Sequence, residues 1–83
     1  MWTIDELKQY FTRKGIPEQA YSFYAEVDDA ICLSKFDAEW LVYYSERGSK
    51  RELGWGKSEA QALEIMKLFV LESSGKLAVK DVT

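Results

Sequence analysis

Histidine is absent from this 83-residue chain, and cysteine and proline occur once each. Without histidine there is no imidazole general base and no His-ligated zinc. One thiol cannot close an intrachain disulfide or complete a cysteine zinc site. Apolar runs stay short: Leu68 to Leu71 is four residues, where a bilayer needs about 20. Positive charge is the minority, with 11 basic against 14 acidic residues and a net charge of -3, whereas a general nucleic-acid binder carries the opposite sign. The opening Met1-Trp2-Thr3-Ile4-Asp5-Glu6 has no basic segment leading into an apolar run, so it does not read as a secretory signal. With the unpaired Cys32, the expectation is a reducing cytoplasm and no membrane association.

What is present is a high aromatic content in a chain long enough for one core. Three Trp, five Tyr and four Phe accompany an apolar share of 47%, and a domain of this size must bury most of them because neither metal nor disulfide assists. Residues 1–75 are expected to form one domain, with 76–83 a tail that frays or adds a short edge strand.

The first helix is marked at both ends. Thr3-Ile4-Asp5-Glu6 is a capping box, and Trp2 is placed to staple onto Leu7. Ile4, Leu7, Tyr10 and Phe11 share one face, Arg13 and Lys14 suit the negative end of the helix dipole, and Gly15 followed by Ile16 and Pro17 is a stop signal. A second helix opens at Ser58-Glu59-Ala60-Gln61, carries an apolar stripe through Ala62, Leu63, Met66, Phe69 and Val70, and closes at Gly75.

Between the helices the pattern changes to alternation, with strands near Ala20 to Ala25, Ala30 to Phe36, Glu39 to Arg47 and Lys50 to Trp55. A turn at Asp37-Ala38 sets Leu33 opposite Val42 and Ile31 opposite Tyr44. A turn at Gly48-Ser49 sets Tyr44 opposite Leu53 and Val42 opposite Trp55. Both hairpins then agree on a buried face of Ile31, Leu33, Trp40, Val42, Tyr44, Leu53 and Trp55. The fold class is α+β: an antiparallel sheet of three to four strands with two helices on one face, in the order α-β-β-β-β-α.

The same register sends Cys32, Phe36, Leu41 and Tyr43 to the other face, where they would expose on the order of 300 Å² of apolar area, near the level that marks a partner surface. Phe36, Leu41 and Tyr43 are the expected partner-binding anchors, with Asp37 and Glu39 on their rim. Adjacent carboxylates in the turns at Glu26 to Asp29 and Asp37 to Glu39 do not converge as a catalytic pair must. Cys32 has no histidine to activate it and lies within a strand. No catalytic residue, metal ligand or cofactor is expected, and the leading class is a non-enzymatic protein-binding module. An exposed strand edge or the Leu41 and Tyr43 face could also pair a second copy into a homodimer.

Two resemblances add to this. The stretch KGIPEQAYSFYAE, followed by DDAICL, WLVYYSERGSKREL and a helix opening with SEAQA, resembles small bacterial immunity proteins of polymorphic or contact-dependent toxin systems. The resemblance implies a cytoplasmic protein that binds and neutralises one cognate toxin domain, and a basic toxin would suit the net charge. The order of elements, with GWGKSEAQA entering the last helix, is also similar to the double-stranded-RNA-binding domain, whose second helix starts with phosphate-gripping lysines. In this chain only Lys57 matches that run, and Glu59 sets negative charge beside it. RNA binding through Lys57 and Lys67 is therefore the alternative.

Overall fold

The computed structural model describes residues 1–75. Helix α1 (Ile4–Arg13) starts at the expected capping box: the Thr3 hydroxyl accepts from the Glu6 amide, and the Glu6 carboxylate accepts from the Thr3 amide. At its other end Gly15 is left-handed, with φ 76°, and the Ile16 amide reaches back to the Phe11 carbonyl at 3.0 Å. This closure swings the buried Ile16 under Phe11 and turns the chain toward the sheet. One helical turn, Glu18–Ala20, leads into β1 (Tyr21–Phe23), followed by β2 (Ala30–Phe36), β3 (Glu39–Glu46), β4 (Ser49–Gly56) and helix α2 (Glu59–Ser73).

The class is the expected α+β, with four strands in sheet order β1-β2-β3-β4 and α2 packed across β2, β3 and β4. The sheet is mixed rather than wholly antiparallel. β1 runs parallel to β2, with Tyr21 beside Ile31 and Phe23 beside Leu33. A parallel neighbour normally requires a crossover of a dozen residues or more. Here residues 24–29 suffice, because three strand residues rise only about 10 Å and six can span up to ~20 Å. The register assigns Tyr21 and Phe23 to the helix-covered face, where both join the core.

The β2–β3 hairpin has the expected pairing, Leu33 with Val42 and Ile31 with Tyr44, around a turn in which Asp37 is left-handed at φ 55°. The β3–β4 hairpin differs. Its two turn residues are Arg47 and Gly48, both left-handed at φ 51° and 81°, so Glu46 pairs with Ser49 and Tyr44 with Arg51. Two left-handed residues in succession match the twist of the flanking strands, which favours this turn over one centred on Gly48-Ser49. A bulge follows. Tyr43 faces Glu52 and Val42 faces Gly54, leaving Leu53 as the extra residue of β4. Beyond it the side-chain alternation reverses, so Trp55, expected in the core, lies on the opposite face beside Leu41 and is 42% exposed.

The helix-covered face supplies the main core, in which Leu7, Phe11, Leu33, Val42, Leu63, Met66 and Val70 are fully enclosed. The strand beyond the bulge fits this core closely. A methyl group on Gly56 would lie 2.8 Å from the backbone nitrogen of Ala62, so glycine lets β4 run directly beneath the start of α2. The Ser58 hydroxyl caps that start by accepting from the Gln61 amide, while the Gln61 side chain accepts from the amide of Lys57. No helix among the described residues is long and apolar enough to cross a membrane. The expected tail, 76–83, lies outside the described residues.

Candidate functional site

The sheet face turned away from the helices divides into a closed part and an open part. Ala30, Cys32, Leu41 and Tyr43 form a second small cluster there, each 5% exposed or less. The expectation that Leu41 and Tyr43 are exposed docking anchors is thereby corrected. A loop that had no assigned direction in the sequence, the β1–β2 crossover, carries the chain across this face.

The crossover is tied down along its length. The Tyr24 amide donates to the Leu33 carbonyl at 2.8 Å, and the Asp29 amide donates to the Ser45 carbonyl at 2.6 Å. Tyr24 and Asp29 both hold left-handed backbone, at φ 63° and 62°, where the chain leaves and rejoins the sheet. Between them the Val27 carbonyl lies 3.7 Å from the Cys32 thiol, and the Glu26 carboxylate approaches the Ser45 hydroxyl at 3.4 Å and the Lys50 ammonium at 3.5 Å. On the helix side, the Tyr24 hydroxyl donates to Glu59 and accepts from the Trp40 indole. Burial pushes the Tyr43 phenol up to about 12, with further contributions from Cys32 and Glu26. Cys32 is thus an enclosed structural thiol. The homodimer surface expected at Leu41 and Tyr43 is likewise closed at those two residues.

The open part lies toward the β2–β3 turn. Phe36 and Trp55 are 45% and 42% exposed, with ring centroids 6.0 Å apart in an edge-to-face arrangement. Phe36 stands on β2 and Trp55 on β4, so the two rings meet across β3, with Glu39 paired to Phe36 on one side and Leu41 paired to Trp55 on the other. The Glu52 carboxylate accepts from the Trp55 indole nitrogen at 3.1 Å, which fixes the ring and sets a negative charge at its edge. Asp37 and Glu39 are exposed at the turn.

Of the five residues expected at the partner surface, Phe36, Asp37 and Glu39 are brought together and exposed, while Leu41 and Tyr43 form buried packing beside them. Trp55 and Glu52 complete the cluster. Trp55 was hidden from sequence reasoning by the bulge, although its flanking Gly54 and Gly56 are the kind of residues that mark a bulge or a close backbone approach within a strand.

The lysines of the alternative reading are placed differently. Lys67 is held by Glu64 at 3.0 Å and lies over the rings of Trp2 and Tyr10, at 5.2 and 6.0 Å. The hydrogen bond to Lys67 holds the Glu64 carboxyl below its ordinary value, assisted by the Trp2 indole and opposed by partial burial. Lys67 therefore bolts α2 to the start of α1, and of the two lysines only Lys57 is exposed. Among the described residues, no three His, Cys, Asp or Glu side chains come together to hold a metal ion. Comparison with known proteins gives no match to any family model, curated protein or solved structure.

Proposed function

We propose that this chain is a non-enzymatic protein-binding module that docks a basic protein domain on the open part of its outer sheet face. Phe36 and Trp55 are the apolar anchors, and Asp37, Glu39 and Glu52 form the charged rim. The observation that carries this reading is the exposed aromatic pair itself. Two large rings held in contact by β2 and β4 expose apolar area beside three carboxylates, while Leu41 and the equally large Tyr43 on the same face are enclosed. Rigid aromatic anchors with a polar surround are the composition of energetic centres in protein interfaces. Carboxylates around them favour a partner of opposite sign, in encounter rate and in selectivity. The resemblance to immunity proteins makes a toxin domain the partner of first choice.

The test has two stages. Proteins captured by the immobilised chain from cells carrying its gene are identified and produced in recombinant form, and each is titrated by calorimetry against wild type and the Phe36→Ser, Trp55→Ser double variant. A basic partner whose affinity falls at least about 100-fold for the variant, with the unfolding midpoint moved by only a few degrees, supports the proposal. Equal affinity of the two forms rejects this surface. Retardation of double-stranded RNA at tens of micromolar protein, lost on Lys57→Glu, would favour the nucleic-acid reading instead.

A further inference from the structure

Among the described residues, six of the twelve aromatic rings lie beneath one of the chain's own cations, and the two rings of the docking pair are among the six that do not. Lys8 lies over Phe23 at 5.7 Å, Lys14 over Tyr10 at 5.6 Å, Lys35 over Trp40 at 4.9 Å, Lys50 over Tyr43 at 5.4 Å and Arg51 over Tyr44 at 5.6 Å. Lys67 covers Trp2. Two of the three tryptophans thus carry an intramolecular cation. Among the described residues, none is placed over Phe36 or Trp55, the two rings left exposed on the outer face. What surrounds them is negative: Glu52 on the indole nitrogen, Glu39 across the strand from Phe36, and Asp37 at the turn.

From this contrast we infer that the Phe36–Trp55 pair is a seat for a cation supplied in trans, and that its occupant is an exposed arginine side chain of the partner protein. The inference rests on the docking reading above and names the chemistry of its central contact. An aromatic face attracts a cation through its quadrupole, and tryptophan does so most strongly. The Glu52 carboxylate hydrogen-bonded at the indole edge adds a full negative charge to that attraction. A planar guanidinium can stack on the ring while its edge donates to a neighbouring carboxylate, which a compact ammonium cannot do at once. Edge-to-face geometry leaves the two rings unstacked on one another, so ring surface remains for an incoming plane.

The three tryptophans allow a direct experiment. Indole N–H resonances are followed by NMR while acetyl-Gly-Arg-Gly-amide is added, with the citrulline peptide, equal in shape and neutral, as control. Trp55→Leu assigns the signal. The Trp55 resonance should move on addition of the arginine peptide, with at least about fivefold weaker binding of the citrulline peptide. The Trp2 and Trp40 resonances, whose rings already carry Lys67 and Lys35, should stay in place. Glu52→Gln and Phe36→Leu should each weaken the response. Equal binding of the two peptides, movement of Trp2 or Trp40 alone, or no movement at all would overturn the inference. Equal binding confined to Trp55, with a recombinant partner still lost on Phe36→Ser, Trp55→Ser, would leave the docking surface standing and remove only its cation selectivity.

Discussion

The two faces of this sheet are buried by different means. The helix side is covered by α1 and α2 and encloses a continuous core from Leu7 to Val70. Among the described residues the other side has no helix: a six-residue crossover is tied across its β1 end, and the far end presents an exposed aromatic pair. Because side chains alternate along β3, Val42 and Tyr43 are both buried, one beneath a helix and one in the loop-side cluster. The difference teaches that burial on a sheet face does not require a second layer of regular structure. A short parallel edge strand supplies a covering loop as a consequence of its own direction.

The comparison breaks most sharply in the helix-side core. Leu63 is fully enclosed between α2 and the sheet, so Leu63→Ala should cost about 2–5 kcal/mol in denaturant unfolding, enough to threaten folding of a domain this small. If that loss falls below about 1 kcal/mol, the helix side is not the principal source of stability.

An intermediate effect is expected from alkaline pH, which probes the loop side. Tyr43 is protonated in the folded protein up to about pH 12, whereas an unfolded tyrosine ionises near 10. A folded value above the unfolded one contributes stability that is complete below pH 10 and is lost as pH rises toward 12. Absorbance titration of wild type against Tyr43→Phe should show the missing phenol as the last to ionise, and the variant should lose less stability over that interval. Ionisation of Tyr43 near pH 10 would mean that the loop does not exclude water from it.

The smallest effect is expected at the crossover's own fastening. Glu26 and Lys50 are both substantially exposed, so their ion pair is worth at most about 1 kcal/mol. Glu26→Ala should therefore shift the unfolding midpoint little, but should speed the reaction of Cys32 with an aromatic disulfide reagent as the loop opens more often. Unchanged thiol reactivity would show that the loop is held by its backbone contacts alone.

The sequence made most of the fold legible where local chemistry decides it. Thr3 with Glu6, Gly15 with Ile16, and Ser58 with Gln61 each mark a helix end through groups that must find partners. Asp37-Ala38 sets the β2–β3 register because a slip would expose Leu33 and Val42. The direction of β1 was not legible, since it depends on the long-range pairing of Tyr21 with Ile31 and not on any turn motif. The β3–β4 register was missed because Arg47 adopts a left-handed backbone that sequence preference assigns to glycine or asparagine, and because the Leu53 bulge is a geometric event. Those two misses account for the change at the candidate site, where Leu41 and Tyr43 go under cover and Trp55 comes out.

Hydroxyl-radical footprinting read residue by residue by mass spectrometry tests that division most directly, since it reports solvent access at both ends of the outer face in one sample. Phe36 and Trp55 should be oxidised strongly for their residue types, and Leu41 and Tyr43 should be protected to the level of Leu33 and Phe11. Strong oxidation of Tyr43 together with protection of Trp55 would contradict the account and return the docking surface to the middle of the sheet.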